Sequence, residues 1–346
     1  MTQPTPALET PVLSVSGVWK LFGKGVDRFA RSPVLQWTDQ ALKDADIVGA
    51  VRDASFDVAA GEVFVIMGLS GSGKSTLVRC LTRLVEPTVG TILLGALDLS
   101  AANDQELLEV RRKRMGMVFQ HFALLPNRTV MGNIAFPLLM QGATRTKAEE
   151  RARELMDVVD LGGREERFPH ELSGGQQQRV GIARSLATDP DLWLLDEPFS
   201  ALDPLIRTDL QDEVIRLQKS LNKTVVFITH DLDEAIKIAD RIAIMESGSI
   251  VQIGTPEDLV VRPATDYVRR FVSKVPPARV VTAGSLMTPS DVKMDQISPV
   301  LVSDTVQEIA PRLIDGQTSI PVVSDDGSLQ GALDVQAALK VLARAG

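Results

Sequence analysis

The chain has 346 residues, of which 44% are hydrophobic and 24% are charged, as in a folded globular protein rather than a disordered one. Its formal net charge is −8, and it carries no basic block of the kind that binds nucleic-acid phosphates or anionic lipid. The length is sufficient for a full-sized domain and a smaller second one.

The N-terminal residues 1–11 are polar and proline-rich, and they have neither the charged nor the apolar region of a signal peptide. We expect them to be disordered. Apolar runs such as residues 63–69 fall well short of the roughly 20 residues that a membrane-spanning helix needs. The sequence therefore predicts a soluble, cytoplasmic protein. Its single cysteine, Cys80, excludes an internal disulfide and is expected to be a small buried side chain.

Strand-like and helix-like patterns alternate along most of the chain. The first part is predicted to contain a strand, a short helix, a charged helix and a mostly helical insertion, at residues 12–18, 35–45, 104–115 and 121–171. From residue 172 to 260 buried apolar strands alternate with helices, with helices expected at 205–220 and 232–239. This order predicts a mostly parallel sheet covered on both faces. A linker near residues 275–284 separates this part from a C-terminal segment with its own pattern.

A glycine-rich loop follows the apolar run VFVIM and precedes a helical pattern. Residues 68–75 (GLSGSGKS) fit the phosphate-loop motif G-x-x-x-x-G-K-[ST] in the strand–loop–helix context that the motif requires. Glycines let backbone N–H groups converge on phosphate oxygens, and the helix points its positive end at the same anion. Lys74 would reach the β and γ phosphates of ATP, and Ser75 would bind Mg²⁺. The predicted nucleotide-binding residues are Gly68, Ser70, Gly71, Ser72, Gly73, Lys74, Ser75 and Thr76.

Two carboxylates, Asp196 and Glu197, follow the apolar run LWLL. Open α/β sheets bind their ligands at the carboxyl ends of the strands, so both acids are expected beside the phosphate loop. Asp196 is predicted to hold Mg²⁺, and Glu197 to orient and polarise the attacking water. The alternative is a solvated acidic turn without a catalytic role.

Residues 172–176 (LSGGQ) open a helical segment. Like the phosphate loop, they combine a hydroxyl, two glycines and a helix N-terminus. They resemble the signature of ABC (ATP-binding-cassette) ATPases, which nucleotide kinases, GTPases and helicase-like motors lack. A second anion site without a second nucleotide loop is explained if two chains pair head to tail, each signature covering the ATP of its partner. The predicted contacts in this homodimer are Ser173, Gly174, Gly175 and Gln176.

Four further positions match the family in the same order along the chain. Gln120 matches the glutamine that senses Mg²⁺ and the permease, and Asp203 lies in the segment that crosses the dimer interface. His230 matches the switch histidine at the γ-phosphate. Phe22 occupies the position of the aromatic side chain that stacks on adenine, with Trp19 as the alternative. The resemblance thus implies a catalytic group of Glu197, His230 and Gln120, and Mg²⁺ ligands Ser75, Gln120 and Asp196.

The resemblance implies an α/β P-loop NTPase cassette over residues 1–275, with a RecA-like core, an antiparallel β subdomain and a helical subdomain. Residues 276–346 resemble a CBS module, a small α+β domain, through the IPVV strand at 320–323, an Asp-Gly turn and Gly331. In related proteins such modules sense ionic strength or nucleotides, and they normally come in pairs. Only one copy is evident in this sequence, so pairing across the dimer is a hypothesis. The alternative is a degenerate tail that merely caps the cassette.

Several segments resemble the ATPases of glycine betaine/proline betaine importers, namely WKLFG at 19–23, the insertion at 24–50, and residues 66–84 and 200–213. This resemblance implies ATP- and Mg²⁺-dependent uptake of glycine betaine, choline, carnitine or trimethylamine N-oxide, at the cytoplasmic face of the inner membrane. The implied partners are transmembrane permease subunits and, indirectly, an extracytoplasmic substrate-binding protein, but not nucleic acid. The alternatives are an importer of another small solute, an exporter, or a non-transport ABC protein of translation or DNA repair.

Overall fold

The structure is a computed structural model that describes residues 11–290, 297–313 and 318–343. By their internal contacts the residues group into two compact units, Met1–Ile250 and Val251–Gly346. The domain boundary expected after residue 275 stays a prediction. The N-terminal segment expected to be disordered lies, apart from its last residue, outside the described residues.

Strands and helices follow one another along the described part of the chain. The strands are β1 (Leu13–Phe22), β2 (Val48–Val58), β3 (Val63–Met67), β4 (Val89–Leu94), β5 (Leu97–Asp98), β6 (Met115–Val118), β7 (Leu192–Asp196), β8 (Thr224–Thr229), β9 (Arg241–Glu246), β10 (Ser249–Gly254), β11 (Met287–Thr288), β12 (Val300–Leu301), β13 (Ser319–Val323) and β14 (Leu329–Asp334). The helices are α1 (Val26–Phe29), α2 (Asp39–Asp44), α3 (Lys74–Leu81), α4 (Asp104–Lys113), α5 (Val130–Met140), α6 (Arg145–Val158), α7 (Gly174–Leu186), α8 (Pro204–Leu221), α9 (Leu232–Ile238), α10 (Pro256–Val261), α11 (Asp266–Val272), α12 (Ala283–Leu286), α13 (Val306–Ile309) and α14 (Val335–Ala343).

The first sheet is antiparallel, in the order β2–β1–β4–β5. Leu13 and Val15 of β1 are buried, as the two-residue period of a strand requires, and the next buried residue is Val18. The spacing between buried residues changes because the pairing register with β2 shifts between Val15 and Val18, where Gly17 has a φ of +57°. This irregularity breaks the alternation, so the sequence pattern predicted a strand that ended at residue 18, four residues too early.

The second sheet has six strands in the order β10–β9–β3–β8–β7–β6. The pairs β9–β3, β3–β8, β8–β7 and β7–β6 are parallel. Every residue of β3 and β8 is buried, which is the pattern of central strands covered on both faces. The predicted parallel sheet is confirmed, and the helices expected at 205–220 and 232–239 are α8 and α9.

The region between β6 and β7 is mostly helical, as predicted. Helix α5 packs against α6 and α7, and Thr129 and Thr144 cap the first turns of α5 and α6 by accepting backbone N–H groups. Asn133 of α5 is fully buried, and its amide group accepts from the backbone N–H of Leu125 at 2.8 Å. Because its hydrogen bonds are satisfied, the buried side chain of Asn133 fixes the segment that leads from β6 to α5.

The insertion at residues 24–50 carries α1, a 3₁₀ turn at Val34–Gln36 and α2. Trp37 from this insertion is buried against Trp19 of β1, with the two rings perpendicular and their centroids 5.3 Å apart. Leu42 of α2 joins the same cluster. The insertion is therefore attached to the antiparallel sheet by its own small apolar core, and the short helix predicted there is present.

The second unit has a four-stranded sheet in the order β11–β14–β13–β12. Strands β12 and β13 are parallel, and β13 and β14 are antiparallel. Its core joins side chains of this sheet to those of α12, α13 and α14. This is an α+β arrangement, as expected for the tail. Residues 291–296 and 314–317, which are part of the segment that resembles a CBS module, lie outside the described residues. In the described part of the chain, no helix is both long enough and apolar enough to cross a membrane.

Candidate functional site

Four neighbouring parallel strands bring the predicted site residues to one edge of the sheet. The strands β3, β8, β7 and β6 lie side by side. Each is followed by a predicted site residue, Gly68 after β3, His230 after β8, Glu197 after β7 and Gln120 two residues after β6. Because parallel strands end at the same edge, residues separated by up to 162 positions (68 to 230) meet there.

The phosphate loop connects β3 to α3 and has room for glycine alone at two positions. A Cβ atom on Gly68 would lie 2.4 Å from the carbonyl oxygen of Met245, and one on Gly73 would lie 2.2 Å from that of Ala50. Gly73 also has a φ of +103°, which disfavours any other residue. Within the described residues the buried hydroxyl of Ser72 has no hydrogen-bond partner. This leaves a polar group ready for a ligand, as an anion cradle requires.

Lys74, the first residue of α3, lies across this loop. Its Nζ donates hydrogen bonds to the carbonyl oxygens of Gly68 at 2.8 Å and Leu69 at 3.1 Å. Burial lowers the pKa of Lys74, and the carboxylates of Glu197 and Asp196 act in the opposite direction. The ammonium group is thus held between the loop and the acidic pair, where a phosphate chain would meet it.

A cleft of about 390 Å³ opens beside the loop, and we call it the phosphate-loop cleft. The predicted residues Gly71, Gly73, Lys74, Ser75 and Thr76 form one wall. The other wall comes from β2 and from the turn after β9, through Val48, Gly49, Ala50, Arg52, Ser247 and Gly248. Gly68, Ser70 and Ser72 belong to the same loop but are not among the residues that line the cleft.

Phe22 and Trp19, the two candidates for the aromatic side chain that stacks on adenine, have different environments. Phe22 is 44% exposed at the end of β1, where it pairs with Val48 of the cleft wall. Trp19 is 9% exposed and packed against Trp37, so it is part of the core. Phe22 therefore has an exposed ring next to the cleft, with Nζ of Lys20 4.9 Å from its centroid, whereas Trp19 is buried. Stacking of adenine on Phe22 rather than on Trp19 stays a prediction.

One carboxylate of the acidic pair contacts the histidine. Oε2 of Glu197 lies 3.1 Å from Nδ1 of His230. Glu197 has a φ of +44°, a left-handed conformation that is unfavourable for a residue with a side chain, and its backbone N–H donates to Ile228 of β8 at 3.0 Å. Strain of this kind is found mainly at functional sites, because the surrounding structure must hold it in place.

Asp196, the last residue of β7, is half-buried beside this pair. Burial raises the pKa of its carboxyl group, the neighbouring Glu197 raises it further, and Arg79 and Lys74 counteract both effects. A cation would stabilise the charged form of Asp196. The hydroxyl of Ser75, the carboxylate of Asp196 and the amide oxygen of Gln120 are all hard oxygen donors, and this donor set fits Mg²⁺.

Gln120 lies in a turn after β6 and is exposed. The backbone N–H of Phe122 donates to the carbonyl oxygen of Phe119 at 3.2 Å, which closes the turn around Gln120. The register of β6 and β7 pairs Val118 with Leu195, so Gln120 leaves the sheet at the level of the acidic pair. The turn presents this amide at the same edge as the phosphate loop.

The signature residues cap α7. Ser173 is the N-cap residue, its hydroxyl accepting the backbone N–H of Gln176 at 3.3 Å while Oε1 of Gln176 accepts that of Ser173 at 3.1 Å. Ser173 and Gly174 are exposed, and a Cβ atom on Gly175 would lie 2.6 Å from Ile206 of α8. Among the described residues, the signature does not form part of the phosphate-loop cleft. The helix N-terminus therefore faces outward, beside Asp203, which caps α8.

Some of the cleft was not predicted from the sequence. Ala50 and Gly248 touch the loop through their backbones, since the carbonyl of Ala50 packs on Gly73 and the N–H of Gly248 donates to Ser72 at 3.0 Å. A contact made by backbone atoms does not require a particular residue type, so the sequence does not reveal it. The one available signal was the Ser247–Gly248 pair, whose small residues mark a turn after β9.

A phosphate loop, an acidic pair and a strand-end histidine at one edge of a parallel sheet define a P-loop ATPase. The family model described as ABC transporter matches residues 51–200. A solved dimeric structure of the ATP-binding cassette MJ0796 bound to ADP and phosphate aligns with a TM-score of 0.60 and 30% identity, covering 70% of this chain and 98% of the other.

Curated relatives match almost the whole chain. The trimethylamine N-oxide transport system ATP-binding protein TmoW of Ruegeria pomeroyi is 51% identical over 97% of this chain and 98% of its own length. The protein of the same name from Pelagibacter ubique is 46% identical over 94% and 96%. The glycine betaine/proline betaine transport system ATP-binding protein ProV of Salmonella typhimurium is 44% identical over 93% and 82%. The chain belongs to the ATP-binding subunits of ABC transporters, and its fold is the ABC cassette.

Proposed function

We propose that this chain is the ATP-hydrolysing subunit of an importer that takes up a quaternary or N-methylated amine through a separate permease. The observation that carries the substrate class is the similarity to amine-transport ATPases over nearly the whole chain. The candidate substrates are glycine betaine, choline, carnitine and trimethylamine N-oxide, and we place trimethylamine N-oxide first. The two relatives named for its transport match this chain over at least 96% of their own length, whereas ProV extends beyond it.

Hydrolysis is assigned to residues at the edge of the parallel sheet. The phosphate loop and Lys74 hold the phosphates of ATP, and Phe22 stacks on the base. Mg²⁺, held by Ser75, Asp196 and Gln120, would neutralise charge on the phosphates. Glu197 accepts a hydrogen bond from the attacking water and polarises it.

His230 completes the group around the γ-phosphate. Its Nδ1 is 3.1 Å from Glu197, so the ring is held in place while its other nitrogen is available to the γ-phosphate. With 58% of its side chain exposed, His230 is accessible to a second subunit.

The second half of each ATP site is proposed to come from a second copy of the chain. The outward-facing Ser173 and Gly174 would meet the γ-phosphate bound by the partner, because the free backbone N–H groups and the positive end of a helix N-terminus attract anions. Leu205 is 80% exposed beside the signature, and Ile206 is 37% exposed. These apolar side chains, together with Asp203, support a two-fold dimer in the ATP-bound state.

ATP binding would close this dimer, and hydrolysis would open it. The phosphates bridge the loop of one subunit and the signature of the other only while the γ-phosphate is present, so ATP favours the closed state and ADP does not. The closed state is the one in which Glu197, His230 and the partner's signature surround the same phosphate. Transport is driven by the alternation of the two states.

The permease contact is proposed at a groove of about 390 Å³ beside α5 and the Gln120 turn, which we call the helical groove. Its lining is largely apolar with a few cationic side chains, and includes Arg111, Phe119, Leu125, Phe136, Met140 and Arg184. A groove of this kind accepts an amphipathic helix. Docking there would place the chain at the cytoplasmic face of the inner membrane, with an extracytoplasmic substrate-binding protein acting only through the permease.

Residues 276–346 are proposed to form a CBS-like regulatory domain that pairs with its counterpart in the dimer. Its α+β sheet order and its buried core support an independent small domain. The pairing is tested on the full-length ATP-bound dimer. A cross-linker is added, and the size of the product shows whether the two C-terminal tails are joined. Tails that stay separate in that dimer would contradict it.

The function is tested by uptake of labelled trimethylamine N-oxide, glycine betaine, choline and carnitine in cells that coexpress the cognate permease and binding protein. Wild type should accumulate one of these compounds, Glu197→Gln should abolish uptake and accumulate as an ATP-bound dimer, and Glu150→Gln on the exposed face of α6 should behave as wild type. Absence of uptake of all four compounds, with ATP hydrolysis intact, would overturn the substrate class. Hydrolysis that survives Glu197→Gln would overturn the catalytic assignment.

A further inference from the structure

The turn that presents Gln120 is conformationally unfavourable by itself. Phe122 has a φ of +57° and Ala123 one of +47°, so two consecutive residues with side chains adopt the left-handed conformation. In L-amino acids this conformation brings Cβ close to the following carbonyl oxygen and is found mainly at glycine. The turn therefore needs support from outside its own sequence.

Arg184 of α7 supplies this support. Its Nη2 donates to the carbonyl oxygen of Phe122 at 3.0 Å, and its Nη1 donates to that of Ala123 at 2.7 Å. The two carbonyls belong to the two left-handed residues, and the planar guanidinium group matches the pair with two parallel N–H donors. A lysine has one charged nitrogen and cannot reproduce this two-point contact.

The chain after the turn is held independently. The amide of Asn133 accepts from the N–H of Leu125 at 2.8 Å and donates to the carbonyl oxygen of Leu125 at 3.1 Å. Before the turn, β6 fixes the chain up to Val118. Arg184 therefore contacts the part of the loop between these two anchors, which is the part that carries Gln120.

We propose that Arg184 is a positioning residue for ATP hydrolysis, which holds the Phe122–Ala123 turn so that Gln120 faces the phosphates. Helix α7 begins at the signature, so the helix that meets the nucleotide of the partner also holds the Gln120 turn. The position of Gln120 thereby follows the position of α7. This inference rests on the proposed role of Gln120 in the function above.

The test compares ATP hydrolysis by the purified full-length chain and its variants. Arg184→Ala should lower kcat about tenfold with KM for ATP nearly unchanged, because the competent turn becomes a minor state while the phosphate loop stays intact. Gln120→Ala should give the same pattern, and Arg184→Lys a smaller loss. Ala123→Gly removes the penalty at one of the two left-handed residues and leaves that at Phe122, so the double variant Arg184→Ala/Ala123→Gly should recover part of kcat.

Arg216→Ala is the matched control. Arg216 also donates to a backbone carbonyl, that of Val158 at 2.9 Å at the end of α6, far from Gln120 in the chain. Its loss should leave kcat and KM unchanged. Hydrogen exchange gives a readout without turnover, since Arg184→Ala should speed exchange in residues 119–125 and leave residues 145–158 as in wild type.

The outcomes separate this inference from the proposed function. If Gln120→Ala lowers kcat but Arg184→Ala does not, or if Ala123→Gly restores nothing, the positioning role of Arg184 is wrong. If Gln120→Ala itself leaves kcat unchanged, the role of Gln120 fails, and this inference fails with it. Should Arg184→Ala not fold, Arg184→Lys with and without Ala123→Gly provides the same comparison.

Discussion

Glu213 of α8 is a buried carboxyl group whose charge should contribute to the pH dependence of stability. It is 6% exposed and lies 2.8 Å from the guanidinium group of Arg179 on α7. Burial raises the pKa of Glu213 from 4.5 to about 7, Arg179 and Arg216 counteract the rise, and Asp160 adds to it. The cost of burying the charge thus exceeds the attraction between the two partners.

The sign and size of the effect follow from linkage between protonation and folding. The pKa of Glu213 is higher in the folded than in the unfolded chain, so the neutral carboxyl contributes stability that is complete below pH 4.5. This contribution is lost as the pH rises through 7. A pKa change from 4.5 to about 7 corresponds to about 3 kcal/mol. Glu213→Gln, which is neutral at every pH, should therefore be more stable than wild type by about 3 kcal/mol at pH 8.5 and equal to it near pH 4.5.

Urea unfolding followed by tryptophan fluorescence measures this difference. The three tryptophans of the chain, Trp19, Trp37 and Trp193, all lie in the unit Met1–Ile250, so the signal reports the unit that contains Glu213. Glu150→Gln on α6, an exposed glutamate, is the control and should not change the free energy of unfolding. If Glu213→Gln is less stable than wild type at pH 8.5, the ion pair with Arg179 outweighs burial and the reasoning is refuted.

Four other predictions concern the nucleotide site and its surroundings. Gly73→Ala should abolish binding of a fluorescent ATP analogue, since its Cβ would lie 2.2 Å from the carbonyl oxygen of Ala50, and normal binding would contradict the cradle. Burial raises the pKa of Cys80 to about 11, so a thiol reagent at pH 8 should label it only in urea, and rapid labelling of the folded chain would show that it is accessible. Phe22→Ala should raise KM for ATP about tenfold by loss of base stacking. An unchanged KM in Phe22→Ala would exclude stacking by Phe22. Trp19→Ala should instead lower the free energy of unfolding by about 3 kcal/mol, measured by urea unfolding.

Much of the fold was predictable because short segments of the sequence determine its elements. The apolar strands after residue 172 and the phosphate loop between β3 and α3 carry their signals within a few residues. Parallel strands then share one edge, so the order of the motifs along the chain predicted that Gly68, Glu197 and His230 would come together. The comparisons confirm the family that this order indicated.

Other features depend on contacts between distant parts of the chain. The end of β1 was missed because the bulge at Gly17 interrupts the alternation of buried residues. Trp19 and Phe22 are three residues apart and equally aromatic, yet the insertion covers one with Trp37 and leaves the other exposed. The sequence by itself does not distinguish these environments, because burial is decided by what packs on the side chain.

The sequence alone therefore determined the class of protein, the phosphate loop and the order of the catalytic motifs, since these depend on local conformation and strand order. Only the tertiary structure decided which groups touch. It placed Glu197 3.1 Å from His230, buried Glu213 beside Arg179, and set Arg184 against the Gln120 turn. Such distances arise from packing between α7, α8 and the sheet, and packing depends on the whole folded chain rather than on any one segment.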